Sequence, residues 1–206
     1  MELSPQDLST KELYKLLTGT IVPRPIGWIS SVNEAGQANL APFSFFNGVC
    51  ANPPHVLFCP GIRDTTNAPK DSFTNVQATG EFVVNIVTEA LAEAMNATAT
   101  ELPASVDEFE FAGLTAVPSV HVKPPRVAES PVSYECRVVH IYEVGQQPGN
   151  GTIVVGEIIH IHVNDEIISD NFYIDLSKLQ PVGRLMSSGY CRVTDLFDLD
   201  RLPPQL

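Results

Sequence analysis

Two stretches, VSYECRVVHIYEV at 132–144 and GTIVVGEIIHIHV at 151–163, decide the fold class of this chain. Both are dominated by β-branched and aromatic residues, and a Gly/Pro/Asn loop joins them, so they read as the long arms of a hairpin. Working outward, 26–32, 38–49, 55–59 and 82–87 have the same strand composition. Turn chemistry separates them at Asn33-Glu34-Ala35-Gly36 and at Asn52-Pro53-Pro54. Helix signals are few and short. Ser9-Thr10-Lys11-Glu12 has capping-box spacing before Leu13, Leu16 and Leu17, and Gly19 stops it. Asp71 or Ser72 is suited to cap a second helix ending at Gly80, Thr88 a third, and Ser105 with Glu108 suggests one more turn. Strands outnumber helices and cluster too closely for βαβ alternation. The expectation is a mainly β chain: an antiparallel barrel with a few helices outside it.

The 206 residues suit one domain, 1–206, with a core over 11–190 and a C-terminal tail over 191–206. Apolar residues make up 44% and charged residues 17%, the reverse of a disordered composition. The net charge of −12 disfavours nucleic acid and anionic membrane as partners, because both require a positive field. A small phosphate in a local basic pocket remains compatible with it. The opening Met1-Glu2-Leu3-Ser4-Pro5 does not resemble a signal peptide, and no run of 18 apolar residues occurs, so a cytoplasmic location is expected. Cys50, Cys59, Cys136 and Cys191 contain no CxxC and read as free thiols. The dinucleotide-binding GxGxxG, the P-loop, HExxH and GxSxG are all absent. His160 and His162 share one strand face, yet no third ligand stands at metal-site spacing, so no metal is expected.

Three clusters carry the chemistry. Arg24 lies between Pro23 and Pro25, which stiffen its backbone and suit it to a fixed anion, or to an ordinary strand-entry turn. Asn39-Leu40-Ala41-Pro42-Phe43-Ser44-Phe45-Phe46-Asn47 interleaves small polar residues with three phenylalanines, and Pro42 marks an edge, bulge or kink. Such a strand either presents backbone groups to a flat heteroaromatic ring or supplies core aromatics. Lys70-Asp71-Ser72 opens a helix after the polar loop 60–71, offering a cation and unpaired N–H groups to a phosphate.

In this order the clusters resemble the flavin reductase-like, FMN-binding split-barrel family, and within it the flavoredoxin-like branch. The resemblance runs from about residue 12 to about residue 190 and includes Pro23-Arg24-Pro25-Ile26-Gly27-Trp28-Ile29-Ser30, the aromatic strand, Asn52-Pro53-Pro54 and Lys70-Asp71-Ser72. Gly80-Glu81-Phe82-Val83-Val84-Asn85, Glu129-Ser130-Pro131-Val132, Gly156-Glu157-Ile158 and Pro181-Val182-Gly183-Arg184-Leu185 complete it. It implies a homodimeric split β-barrel with FMN near the subunit interface. Arg24 and Lys70 would hold the phosphate, with Asp71 and Ser72 at the helix start. Trp28, Ile29 and Ser30 would line the ring and ribityl side, and Asn39, Pro42, Phe43, Ser44 and Asn47 would meet the ring. Arg184 would reach the same or the neighbouring flavin. One departure, Met186-Ser187-Ser188-Gly189 after the late turn, bears on the substrate side.

The resemblance also implies the chemistry. Flavin carries it, with NADH or NADPH as hydride donor, so no catalytic acid or base is expected from the protein. The first reading is an NAD(P)H-dependent flavin (or ferric) oxidoreductase, with a redox protein or monooxygenase as a further partner. The second is a non-enzymatic flavoredoxin-like electron carrier reduced by a protein. A haem- or metal-binding barrel resting on His160 and His162 is a distant third.

Overall fold

The computed structural model describes residues 1–61, 68–103, 106–145 and 151–201. The elements run α1 (Thr10–Thr20), β1 (Gly27–Val32), β2 (Ala38–Phe43), β3 (Phe46–Ala51), β4 (Pro54–Phe58), α2 (Asp71–Thr79), β5 (Glu81–Ile86) and α3 (Ala92–Ala97). There follow α4 (Glu108–Phe111), β6 (Ala116–Val117), β7 (Arg126–Val127), β8 (Val132–Val144), β9 (Gly151–Val163), α5 (Leu176–Leu179), β10 (Val182–Arg184) and β11 (Tyr190–Arg192). The hairpin expected at 132–163 is present as β8 and β9, paired from Val132↔Val163 to Val144↔Gly151.

Seven strands form one antiparallel sheet in the order β2-β1-β5-β8-β9-β4-β3. Its two edge strands, β2 and β3, are consecutive in sequence and separated only by Ser44 and Phe45. Three Cα steps span at most about 11 Å. The edges of a flat seven-stranded sheet would stand roughly 29 Å apart. The sheet must therefore curl until its edges nearly meet. At the join the Cys59 N–H donates to the Phe45 carbonyl at 2.8 Å.

Curling encloses one face of the sheet. Ile29, Phe43, Val56, Phe58, Phe82, Val84, Cys136 and Val154 point inward from six strands, and Phe73 and Val76 of α2 pack against them. The opposite face carries a second core. There Trp28 and Leu40 meet Val87, Leu91, Met95, Phe109, Val127 and Val182. Trp28 and Ile29 are thus neighbours in sequence that serve different cores, as strand alternation requires. With both faces covered, every residue of β1 is buried.

The local expectations meet five corrections. Helix α1 runs through Gly19 to Thr20. Thr88 precedes a short 3-10 turn at Glu89–Leu91, and Leu91 is the N-cap of α3. The stretch 38–49 is two strands broken at Ser44-Phe45, because an unbroken one could not join opposite edges of the sheet. Lys70, not Asp71 or Ser72, occupies the N-cap of α2, where its extended backbone starts the helix without a side-chain cap. Asp107 caps α4 through hydrogen bonds from the Phe109 and Glu110 N–H groups. Ser105, the stretch 62–67 of the polar loop and 146–150 of the hairpin loop lie outside the described residues. The Ser9 capping box forms as expected, and Gly80 closes α2 in the left-handed region at φ 71°.

Two glycines of the recognised motifs owe their identity to close approach. A Cβ on Gly27 would lie 2.6 Å from the Phe46 ring, and one on Gly156 would enter the Phe82 ring and lie 3.3 Å from Cys136 Cβ. Gly156→Ala should therefore destabilise the protein by about 1–3 kcal/mol, the usual cost of overpacking. Denaturant unfolding of Gly156→Ala beside Gly156→Ala/Phe82→Leu checks the cause. The second change should recover much of the loss if the collision with Phe82 is responsible.

Candidate functional site

A small cleft of about 70 Å³, open to solvent, lies where the start of α2 faces β2 and the segment 98–102. Five expected residues line it: Asn39, Pro42, Lys70, Asp71 and Ser72. They come together for local reasons. β2 lies at the sheet edge, and α2 packs across β1 and β2. The Asn39 amide donates from Nδ2 to Ser72 Oγ at 2.8 Å, which ties the strand to the helix start. Lys70 is half-buried and sits with Nζ 5.7 Å from the centre of the Phe43 ring.

The outer edge of β2 forms one wall. Leu40 N–H points away from β1 and donates to Glu108 Oε2 at 3.3 Å. Strand parity puts Pro42 on the same outer edge, so its missing N–H removes no ladder bond. The cleft also contains Ala41 of the aromatic stretch, and residues with no sequence motif: Thr98, Ala99, Thr100, Glu101, Leu102 and Glu108. Burial is the chief influence on Glu108 and pushes its carboxyl pKa up, with Asp71 and Asp107 adding to the effect. No cation pairs with it among the described residues.

Several expected site residues do other work. Arg24 is 5% exposed, and its guanidinium is spent inside the protein. Nη1 donates to the carbonyls of Thr18 at 2.8 Å and Ile21 at 3.0 Å, Nη2 to that of Leu185 at 2.9 Å, and Nε to Ser44 Oγ at 3.2 Å. Its backbone exchanges two hydrogen bonds with Arg184, at 2.9 and 2.8 Å. Arg24 therefore joins the end of α1 to β10 and the β2–β3 link, and it does not face the cleft. Arg184 stacks on Tyr190 with Cζ 4.5 Å from the ring centre and donates to the Ser187 carbonyl.

Trp28, Ile29 and Ser30 have no exposed surface. Trp28 donates from Nε1 to Thr98 Oγ1 at 2.9 Å, Ile29 is in the barrel core, and Ser30 donates to the Pro125 carbonyl. Phe43 also points into the barrel. These four side chains build the floor behind the site and do not line the cleft. Ser44 and Asn47 lie beyond its lining, and Asn47 Oδ1 accepts from the Gly48 N–H at 2.9 Å.

The histidine strand is now explained. His162 Nε2 lies 2.7 Å from Oε1 of Glu135, a fully buried carboxylate. Burial alone would raise the Glu135 pKa. Hydrogen bonds from the Val120 N–H, His162 and the His121 N–H reverse that and hold it below the ordinary value. His160 packs edge-on between His121 and His162. Among the described residues no three His, Cys, Asp or Glu side chains are grouped to hold a metal. The four cysteines are free thiols. No described helix is long and apolar enough to cross a membrane.

The cleft, the curled sheet and the buried motif glycines agree with a match of residues 18–180 to the flavin reductase like domain. The chain belongs to the flavin reductase-like family. Component B of nitrilotriacetate monooxygenase from Bacillus cereus superposes with a TM-score of 0.92 at 32% identity, covering 97% of this chain and 98% of that one. The 2-nitrobenzoate 2-nitroreductase NbaA of Pseudomonas fluorescens gives 0.86 at 30% identity, covering 99% of each. Flavoredoxin of Desulfovibrio vulgaris (Miyazaki F) gives 0.75 at 22% identity, covering 97% of each, a likeness of fold alone. The fold is thus the mainly β architecture of flavin reductase-like proteins, and the family supports an oxidoreductase that uses flavin. Arg184 lies beyond the matched span.

The internal role of Arg24 has a measurable consequence. Arg24→Ala should cost about 3 kcal/mol, since it strips one buried and two part-buried carbonyls of a charged donor. Unfolding midpoints should fall, while the ratio of FMN to riboflavin affinity in the folded variant should stay at the wild-type value. A selective loss of FMN would return Arg24 to the phosphate.

Proposed function

We propose that this protein is an FMN-dependent oxidoreductase that takes electrons from NADH or NADPH and passes them to free flavin, ferric iron or a monooxygenase component. The observation that carries the reading is the cleft at the start of α2, where a lysine, a serine and opening helix amides converge beside the free edge of β2. The donor set fits a flavin mononucleotide. Lys70 supplies a full positive charge, Ser72 a hydroxyl, and the first turn of a nine-residue helix the positive end of its dipole. Asn39 orients the Ser72 hydroxyl by donating to it.

The outer edge from Pro42 to Ser44, with Asn47 beyond it, would meet the isoalloxazine through backbone groups. When bound, the flavin supplies the two-electron redox chemistry. The protein binds, orients and shields. Lys70 and Ser72 fix the phosphate end, Pro42 prevents another strand from covering the edge, and the buried Trp28–Thr98 hydrogen bond steadies the far wall. Cytoplasmic location and a homodimer belong to the same reading. Phe45 and Val49 lie 41% and 50% exposed on and beside the edge strand β3, leaving apolar surface that a second copy would cover.

Lys70→Ala should weaken FMN about ten- to a hundred-fold and leave riboflavin nearly unchanged, because only FMN carries the phosphate. Fluorescence titration of both flavins checks this, and equal losses would move the phosphate away from Lys70. Anaerobic addition of NADH or NADPH to the FMN-loaded protein should bleach the yellow colour. A spectrum that stays oxidised with both nucleotides would replace the enzyme by an electron carrier reduced by a protein. Light scattering should give twice the 22.4 kDa monomer mass.

A further inference from the structure

The cleft proposed for the phosphate has an unexpected charge balance. Lys70 is its only cation among the described lining residues, against Asp71, Glu101 and Glu108. A phosphate dianion entering beside the buried Glu108 would meet repulsion if that carboxyl were charged. Glu108 is the carboxylate least able to remain charged. It is 9% exposed, packed by α4 against β2, and its hydrogen bond from another residue is the long one from the Leu40 N–H.

We propose that Glu108 is a ligand of the bound phosphate in its neutral, carboxylic acid form, so that the cleft takes up a proton as FMN binds. This rests on the cleft being the FMN site. The step balances simply: solvent gives one proton to the Glu108 carboxylate, and the resulting O–H donates to an anionic oxygen that a carboxylate would repel. No bond to the flavin forms or breaks.

Charged and titratable groups around Glu108 agree on the direction. From α2 come Asp71 and Lys70, from its own N-cap Asp107, and from the segment 98–102 Glu101. β2 contributes Asn39 and the Leu40 N–H but no charge. The carboxyl of Glu108 already has a raised pKa, chiefly from burial and then from Asp71 and Asp107. A phosphate nearby adds negative charge and raises it further. The bound state therefore holds more proton than the free state, and affinity for FMN falls as pH rises between the two values. Binding of riboflavin, which has no phosphate, is free of this linkage.

The experiment is calorimetric titration of the intact protein with FMN and with riboflavin, in two buffers of different ionisation enthalpy. It is done from about pH 6.5 to 8.5, where free phosphate is mostly dianionic. The expected result is uptake of up to about one proton per FMN and a Kd rising by up to about tenfold per pH unit, with no uptake for riboflavin. Glu108→Gln keeps an oxygen for the Leu40 N–H and cannot ionise. It should unfold at the wild-type midpoint, bind FMN without proton uptake, and bind it tighter than wild type at the alkaline end.

Tight FMN binding with no proton uptake by wild type overturns the proposal and leaves the FMN site standing. Uptake that persists in Glu108→Gln overturns Glu108 as its carrier. FMN bound no better than riboflavin at every pH overturns the phosphate site and this inference together. The first two outcomes need FMN preferred over riboflavin, so the two failures are distinct. Should Glu108→Gln fail to fold, the wild-type comparison of FMN with riboflavin still decides, because absence of FMN-specific uptake refutes the proposal.

Discussion

A two-residue link governs the architecture. Because Ser44 and Phe45 alone connect strands at opposite edges of a seven-stranded sheet, the sheet has to roll up. Rolling encloses the face bearing Phe43, Phe58 and Phe82, and the interior then has too little room for a Cβ at Gly156. The join is also the place that Arg24 reinforces. Its Nε reaches Ser44 while its other nitrogens hold the end of α1 and Leu185. One buried guanidinium thus fastens the link to the end of α1 upstream and to Leu185 far downstream in the chain. The cleft follows from the same geometry, since an edge that ends in this link stays free along β2 for α2 and α4 to approach.

Legibility in the sequence follows the range of the interactions. The hairpin at 132–163, the capping box at Ser9 and the glycine stop at Gly80 were legible, because each depends on residues adjacent in the chain. Lys70-Asp71-Ser72 was legible for the same reason: a helix start exposes amides wherever the fold places it. Arg24 shows where such reading stops. An arginine held between prolines suits an anion and suits a cluster of carbonyl oxygens equally well. Only tertiary structure chose the second, by bringing Thr18, Ile21 and Leu185 to one point. The motif that identifies the family thus contains residues that build the barrel as well as residues that face the cleft. Trp28, Ser30 and Asn85 are examples of the former: Asn85 donates to the Trp28 carbonyl and accepts from the Val127 N–H and the Ser133 hydroxyl.

Glu108 had a local signal for a helical turn and none for a site. Its partner Leu40 is 68 residues away, and a glutamate one position after a helix cap is ordinary in any sequence. Its neighbours in the cleft wall, Thr98 to Leu102, are small or common residues with no motif. They become visible only once α3 and α4 are folded over the second core, where Met95 and Phe109 anchor them.

The free edge of β2 unites stability and function. An unpaired edge invites another strand, and natural sheets guard theirs with proline and charge. Here Pro42 removes an outward donor, and Glu108 caps the outward Leu40 N–H. The two residues that keep the edge from being extended are therefore two of the residues that line the cleft. The opposite edge carries no such guard: β3 leaves Val49 exposed, with Phe45 just before it in the link. The asymmetry separates the two edges by role. One is closed to further strands and borders the cleft, and the other leaves apolar surface exposed. Both roles follow from where the chain breaks its aromatic strand, at Ser44-Phe45. Moving that break by one residue would reverse the inward and outward faces of either β2 or β3. It would pull Phe43 from the barrel core or Pro42 from the outer edge, so the site and the core cannot be altered independently.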